Sequence, residues 1–163
     1  MRYKVVPEDL KIKSATVIDF PVVYKKLKLW LEDRGFAKNE TLEKKYIERI
    51  KPNGRQLEIE WHAVKSKSDF FDYHIEVRFL VLGMKDIEVQ QGPITRKMNQ
   101  GDFEIRIKSY IETTKKLHKL GGLKRIYTKM LIKNRIEEYK LDLYDKVYKF
   151  HAYLKGLLNL RNY

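Results

Sequence analysis

The chain has 163 residues, with 35 Lys and Arg against 22 Asp and Glu, a formal net charge of +13. It contains no cysteine, which excludes a disulfide-stapled scaffold, a zinc ribbon and an iron–sulfur protein. With 43% hydrophobic residues and only 8 glycines and 4 prolines, it is neither collagen-like nor a Gly/Pro-rich disordered chain.

The opening residues hold one apolar pair, Val5-Val6, too short for the apolar core of a signal peptide. The longest uncharged apolar stretch, Phe79 to Met84, falls far short of the ~20 residues a spanning helix needs. These features, with the lack of cysteine, lead to the expectation of a cytoplasmic protein without a membrane span.

Residues 8–18 end in a β-branched run and predict a first strand. Asp19 is placed to cap a helix over 20–34, because its carboxylate can accept from first-turn N–H groups and Pro21 is tolerated there. Val23, Leu27, Trp30 and Leu31 recur at helical spacing as the buried stripe, and Gly35 suits the left-handed residue that closes such a helix.

From residue 41 the period changes to two. A strand over 41–51 leads into the turn Pro52-Asn53-Gly54. Leu57, Ile59, Trp61 and Ala63 then alternate with Glu58, Glu60, His62 and Val64. After a polar loop at 65–70, Tyr73, Ile75, Val77, Phe79 and Val81 repeat the pattern. Gly83 predicts a break, Ile87 and Val89 resume, and Gly92-Pro93 makes another turn. A short strand over 94–98, a turn at Asn99-Gln100-Gly101 and the set Phe103, Ile105 and Ile107 complete the series. Short connections between consecutive strands imply an antiparallel meander of five to seven strands.

After Glu112 helical spacing returns. Lys115 to Leu120 predicts a turn or more of helix, and Gly121-Gly122 a turn between helices. Leu123, Ile126, Tyr127, Met130 and Leu131 form the apolar stripe of a helix. Ile136, Tyr139, Leu143, Val147, Phe150, Leu154 and Leu157 form a longer one that stays on one side of a straight helix. No Gly or Pro interrupts 123–155, so both stripes fit one helix.

The whole reads as a single α+β domain over 1–163: an antiparallel β-meander with an N-terminal helix in 1–112, and a basic, amphipathic C-terminal helical region in 113–163. The predicted order, strand, helix, meander, long C-terminal helix, resembles the helix-grip layout of START and Bet v 1-like domains, in topology and in no residue motif. The resemblance implies a small apolar ligand between sheet and helix, in a cavity lined by Trp61, Ile75, Phe79 and Leu143.

Charge is concentrated at the C-terminal end. Residues 111–163 carry 13 basic against 5 acidic side chains, a net +8. Within them Lys115, Lys116, Lys119, Lys124, Arg125, Lys129, Lys133 and Arg135 occur without one acid. Arg125, Lys129 and Lys133 recur every four residues and so share one side of a helix, where like charges repel. Either this is a solvated face, or phosphates of a polyanion relieve the repulsion and release counterions. RNA or single-stranded nucleic acid is favoured over duplex DNA, since Tyr127 and Tyr139 offer stacking surfaces and no duplex-reading motif is present.

A second constellation depends on strand register. If Trp61 faces Ile75, then Glu58 opposes Arg78, Glu60 opposes Glu76 and His62 opposes His74. Two imidazoles and two carboxylates in one patch form a metal-competent or acid–base set, against the plain alternative of a polar outer sheet face. No serine lies in a Gly-x-Ser-x-Gly elbow, no phosphate loop follows any glycine, and no cofactor is expected. A non-enzymatic polyanion-binding module is thus the leading reading. The alternatives are the apolar-ligand protein and an assembly subunit pairing with a partner or a second copy through the C-terminal helix, beside Tyr144, Tyr148 and Tyr153.

Overall fold

The computed structural model describes residues 2–5, 9–36 and 42–158. Glu8 and Thr41, the first residues of two predicted strands, lie outside them. The elements run β1 (Arg2–Lys4), β2 (Leu10–Ile18), α1 (Phe20–Asp33), β3 (Glu43–Lys51), β4 (Gly54–Ser66), β5 (Phe71–Gln91), β6 (Ile94–Thr113), α2 (Lys115–His118) and α3 (Gly122–Leu157). The class is α+β, as the change of hydrophobic period implied. Six antiparallel strands follow the order β1-β6-β5-β4-β3, with β2 also on β6. β1 and β2 share one edge of the 20-residue β6: β2 spans Asn99–Ile107 and β1 spans Tyr110–Glu112.

The two helices cover one face of the sheet because that face is apolar in every long strand. Leu57, Ile59, Trp61 and Ala63 of β4, Tyr73, Ile75, Val77, Phe79 and Val81 of β5, and Phe103, Ile105 and Ile107 of β6 are all nearly inaccessible and belong to one hydrophobic cluster. Phe20, Val23, Leu27, Trp30 and Leu31 of α1 join it, as does α3 from Ile136 through Leu143, Val147, Phe150 and Leu154. The helices meet where Trp30 and Phe150 approach to 5.1 Å between ring centroids. Each such side chain, fully buried, contributes roughly 1.5–3 kcal/mol. Ile75, Phe79, Trp61 and Leu143 pack inside this cluster at 0–1% exposure, and Trp61 lies 4.7 Å from Phe79 and 5.1 Å from Tyr24 between ring centroids. Side chains therefore occupy the space in which a ligand cavity was expected.

The ends of α1 differ in how well the sequence foretold them. Asp19 holds the N-cap position but its carboxylate makes no cap hydrogen bond. Asn99 Oδ1, from β6, accepts from the Phe20 N–H at 3.0 Å instead. At the other end Gly35, at φ 77°, closes the helix as expected: its N–H donates to Glu32 and the Phe36 N–H to Leu31, a Schellman closure.

Neither Gly83 nor Asn99-Gln100-Gly101 ends a strand. β5 and β6 run through them, and the register slips once, between Leu82 and Lys85. Gly83, at φ 61°, takes the left-handed turn of this bulge, and Gly101 faces it so closely that a Cβ there would lie 3.1 Å from Met84 Cα. These glycines are there for a close backbone approach inside a continuous sheet.

Candidate binding surfaces: the basic arm and the histidine pair

α2 and the first fourteen residues of α3, 122–135, form a basic arm at the end of the sheet. Nothing within 122–135 is fully buried. Leu123, at 85% exposure, Met130, at 68%, and Ile126, Tyr127 and Leu131 face solvent. The apolar stripe is thus exposed; α3 turns a different side to the protein, with half-buried Ile132 and buried Ile136 as its contacts. At 100° per residue, Ile132 and Ile136 lie opposite the solvent strip, Lys124 and Arg135 flank that strip on one side, and Lys129 and Lys133 on the other.

All eight predicted cations are exposed on this arm or beside it. Lys116 pairs with Asp69 at 3.1 Å. Among the described residues no carboxylate comes within ion-pair distance of Lys115, Lys119, Lys124, Arg125, Lys129, Lys133 or Arg135. Ion pairs are found in other parts of the molecule. On the outer sheet face Glu58 meets Lys45 at 3.2 Å and Arg49 at 3.3 Å, Glu60 meets Arg78 at 3.1 Å, and Glu104 meets Arg106 at 2.9 Å. Farther along α3, Asp142 and Asp145 take Lys146 and Lys149. Among the described residues unpaired cations occur elsewhere too, including Lys25, Lys26 and Lys28 of α1, but the arm lies in the longest stretch of the chain without an acid.

Beneath the arm lies a groove of about 410 Å³ between α2, α3 and the ends of β1 and β6. Tyr3, Leu117, Ile132 and Ile136 give it apolar walls, and Arg125, Lys129 and Lys133 line its rim. The sequence did not announce this groove, because Tyr3 and Leu117 meet only through the pairing of β1 with β6.

The histidine patch forms in a different register. Trp61 faces Val77, so His62 opposes Glu76, Val64 opposes His74 and Glu60 opposes Arg78. The shift replaces a carboxylate pair by the Glu60–Arg78 ion pair and keeps the same faces inward. It does not separate the imidazoles: His62 Nε2 and His74 Nδ1, now diagonal neighbours, are hydrogen-bonded at 2.8 Å. His74 stacks on Tyr110 at 4.7 Å between centroids, and the Tyr110 hydroxyl donates to Glu76 at 3.1 Å. Glu112, salt-bridged to Arg2 at 2.9 Å, places Oε2 3.4 Å from His74 Nε2. Burial, then the neighbouring His62, hold the His74 imidazole below its usual value. Burial and then Glu76 push the Tyr110 phenol up to about 12. Among the described residues no three His, Asp or Glu side chains converge as a metal would require. The metal candidates His62, His74, Glu60 and Glu76 are engaged with each other, with Tyr110 and with Arg78. Beside them a shallow depression of about 260 Å³ is lined by both signs of charge, including Glu60, Glu76, Arg78 and Lys108.

Of the tyrosines on the C-terminal helix, Tyr153 packs on the core, while Tyr144 and Tyr148 lie 4.4 Å apart between centroids beside each other on α3. Among the described residues no helix is long and apolar enough to cross a membrane. Comparison with protein-family models, curated proteins and solved structures found no match, which leaves the arm and its groove as the features on which a functional reading rests.

Proposed function

We propose that the chain is a non-enzymatic polyanion-binding module whose ligand is RNA or single-stranded nucleic acid, held by the arm over residues 115–135. One observation carries the reading: among the described residues seven of the arm's eight exposed cations have no carboxylate within ion-pair distance, and they fall in the longest stretch of the chain, 113–136, that contains no acid. Placed four residues apart, Arg125, Lys129 and Lys133 repel one another, a few tenths of a kcal/mol per pair. Phosphates would remove that repulsion and release their own condensed counterions. Tyr127, 65% exposed among them, gives an unpaired base a ring to stack on.

Fluorescence anisotropy with a mixed-sequence single-stranded RNA and a duplex of equal length tests the reading. Affinity should favour the single strand and fall steeply with salt. Neutralising Arg125→Gln, Lys129→Gln and Lys133→Gln together should weaken binding uniformly across sequences and flatten the log–log salt slope by roughly 2, at about 0.7 per phosphate contact. No binding at low salt would make the +13 charge a matter of solvation alone.

A further inference from the structure

The groove under the arm combines two features that a polyanion surface does not need together. Its walls are apolar and fixed: Leu117 and Ile136 are 5% and 7% exposed, so they are part of the packed structure rather than of the solvent layer. Its rim is cationic on the α3 side, where Arg125, Lys129 and Lys133 span about 12 Å of helix. A phosphate backbone would use the rim and leave the walls wet. A neutral apolar molecule would use the walls and leave the cations without a counter-charge.

We propose that this groove binds a single-chain anionic amphiphile, with its apolar body against Tyr3, Leu117, Ile132 and Ile136 and its carboxylate or phosphate-ester head among Arg125, Lys129 and Lys133. The volume, about 410 Å³, falls in the range of small-molecule sites and exceeds the depression beside the histidines. Position explains the selectivity. Lysine and arginine stems extend along apolar surface while their heads stay in water, so the three rim side chains can lie over a bound chain and still meet its head group. At one end Thr113 Oγ1 and His118 Nε2 form a polar pair at 3.1 Å, which leaves the apolar walls to the chain. The site goes beyond the nucleic-acid reading: it shares three cations with it and adds the walls, which that reading does not use.

The test is a titration with 11-(dansylamino)undecanoate below its micelle concentration, with its methyl ester as the uncharged control. The acid should bind about tenfold or more tightly than the ester, with a blue-shifted emission. Ile132→Gln should weaken the acid about tenfold and leave single-stranded RNA binding within about twofold. Lys129→Glu, a surface change that spares the fold, should weaken the acid by a similar factor and leave the ester unchanged. Lys124→Gln with Arg135→Gln, on the far side of the helix, should weaken RNA and leave the acid unchanged. The same chemistry can be offered by a bilayer, so phosphatidylglycerol vesicles form the second arm. Vesicle binding without binding of the soluble acid would assign the lipid to the exposed Leu123–Leu131 strip and overturn the groove. Equal binding of acid and ester, or an Ile132→Gln protein that binds the acid as the parent does, would overturn it as well. Failure of the RNA titration alone would leave this result standing.

Discussion

The hydroxyl of Tyr73 donates to Oδ2 of Asp142 at 2.8 Å, tying the middle of the sheet to the long helix. Lys67 and Lys146 approach the same carboxylate at 3.1 and 2.5 Å. Burial alone would raise the Asp142 carboxyl, but hydrogen bonds from Lys146, Tyr73 and Lys67 outweigh it and bring the group down to about 2. A carboxyl depressed in the native state stabilises the fold above its unfolded pKa, and that contribution is lost as pH falls through the native value. Asp142→Asn should therefore lower the urea midpoint at pH 7, and its deficit should shrink between about pH 4 and pH 2. Tyr73→Phe, which removes one donor from the charged group, should cost about 1–2 kcal/mol at pH 7.

His74 gives the opposite end of the pH scale a handle. It is buried, hydrogen-bonded to His62 of β4, stacked on Tyr110, and faces Glu112 of β6 with Arg2 of β1 behind it. Its depressed pKa means that the unfolded chain takes up a proton before the native one does. Stability is then complete above about pH 6.5, the unfolded value, and falls as pH drops below it. Urea midpoints at pH 7.5, 6.5 and 5.5 should decline for the parent and decline less for His74→Gln. His151, also held below its usual value by burial and then by Lys155, adds slope of the same sign. Equal slopes in the two proteins would remove His74 as the cause.

The exposed strip of α3 and its buried neighbour make a sharp comparison. Replacing Leu123, Ile126 and Met130 together by Gln should change stability by no more than about 0.5 kcal/mol per site, since their side chains touch little. Ile136→Ala, on the opposite side of the same helix, should cost about 2–5 kcal/mol. Chemical denaturation of the two variants settles which side faces the core.

Gly101 and Gly83 offer a test of the bulge. Gly101→Ala would press a Cβ onto the β5 backbone, 3.1 Å from Met84 Cα and 3.2 Å from the Leu82 carbonyl oxygen, and should cost about 1–3 kcal/mol. Gly83→Ala meets more room but keeps φ at 61°, which costs an L-residue about 1–2 kcal/mol. Gly83→Asn should recover part of that loss, because asparagine tolerates the left-handed region.

Period carried most of the fold in the sequence. Trp61, Val77 and Ile105 are inward because every second residue around them is apolar, and no alternative frame buries that set. Register was a weaker signal: pairing Trp61 with Ile75 or with Val77 buries the same faces, and what favours the second is the charge partner it gives Glu60. Gly83 and Gly101 read as breakers because a glycine's effect on one strand is local, whereas their role comes from two strands bulging against each other. Leu123 to Leu131 read as an apolar stripe, but helical spacing says nothing of what covers such a face, and here nothing among the described residues buries it. The arm's cations were legible from composition. Its groove was not, since its walls come from β1, α2 and α3, and β1 was not foreseen at all.

The outermost strands deserve a colloidal reading. β3 ends the sheet on one side, nine residues long, with Ile50 89% exposed, and β2 lies at the other. A long strand at a sheet edge is a template for another chain. Here β3 carries Lys44, Lys45, Arg49 and Lys51 against Glu43 and Glu48, and β2 carries Lys11 and Lys13, so two copies approaching edge to edge bring net positive charge together. That protection is purely electrostatic. It has a range of about 10 Å at 0.1 M salt and about 3 Å at 1 M. Concentrated salt therefore strips the edges of their guard while leaving the fold intact, and this chain should stay dispersed best in dilute buffer.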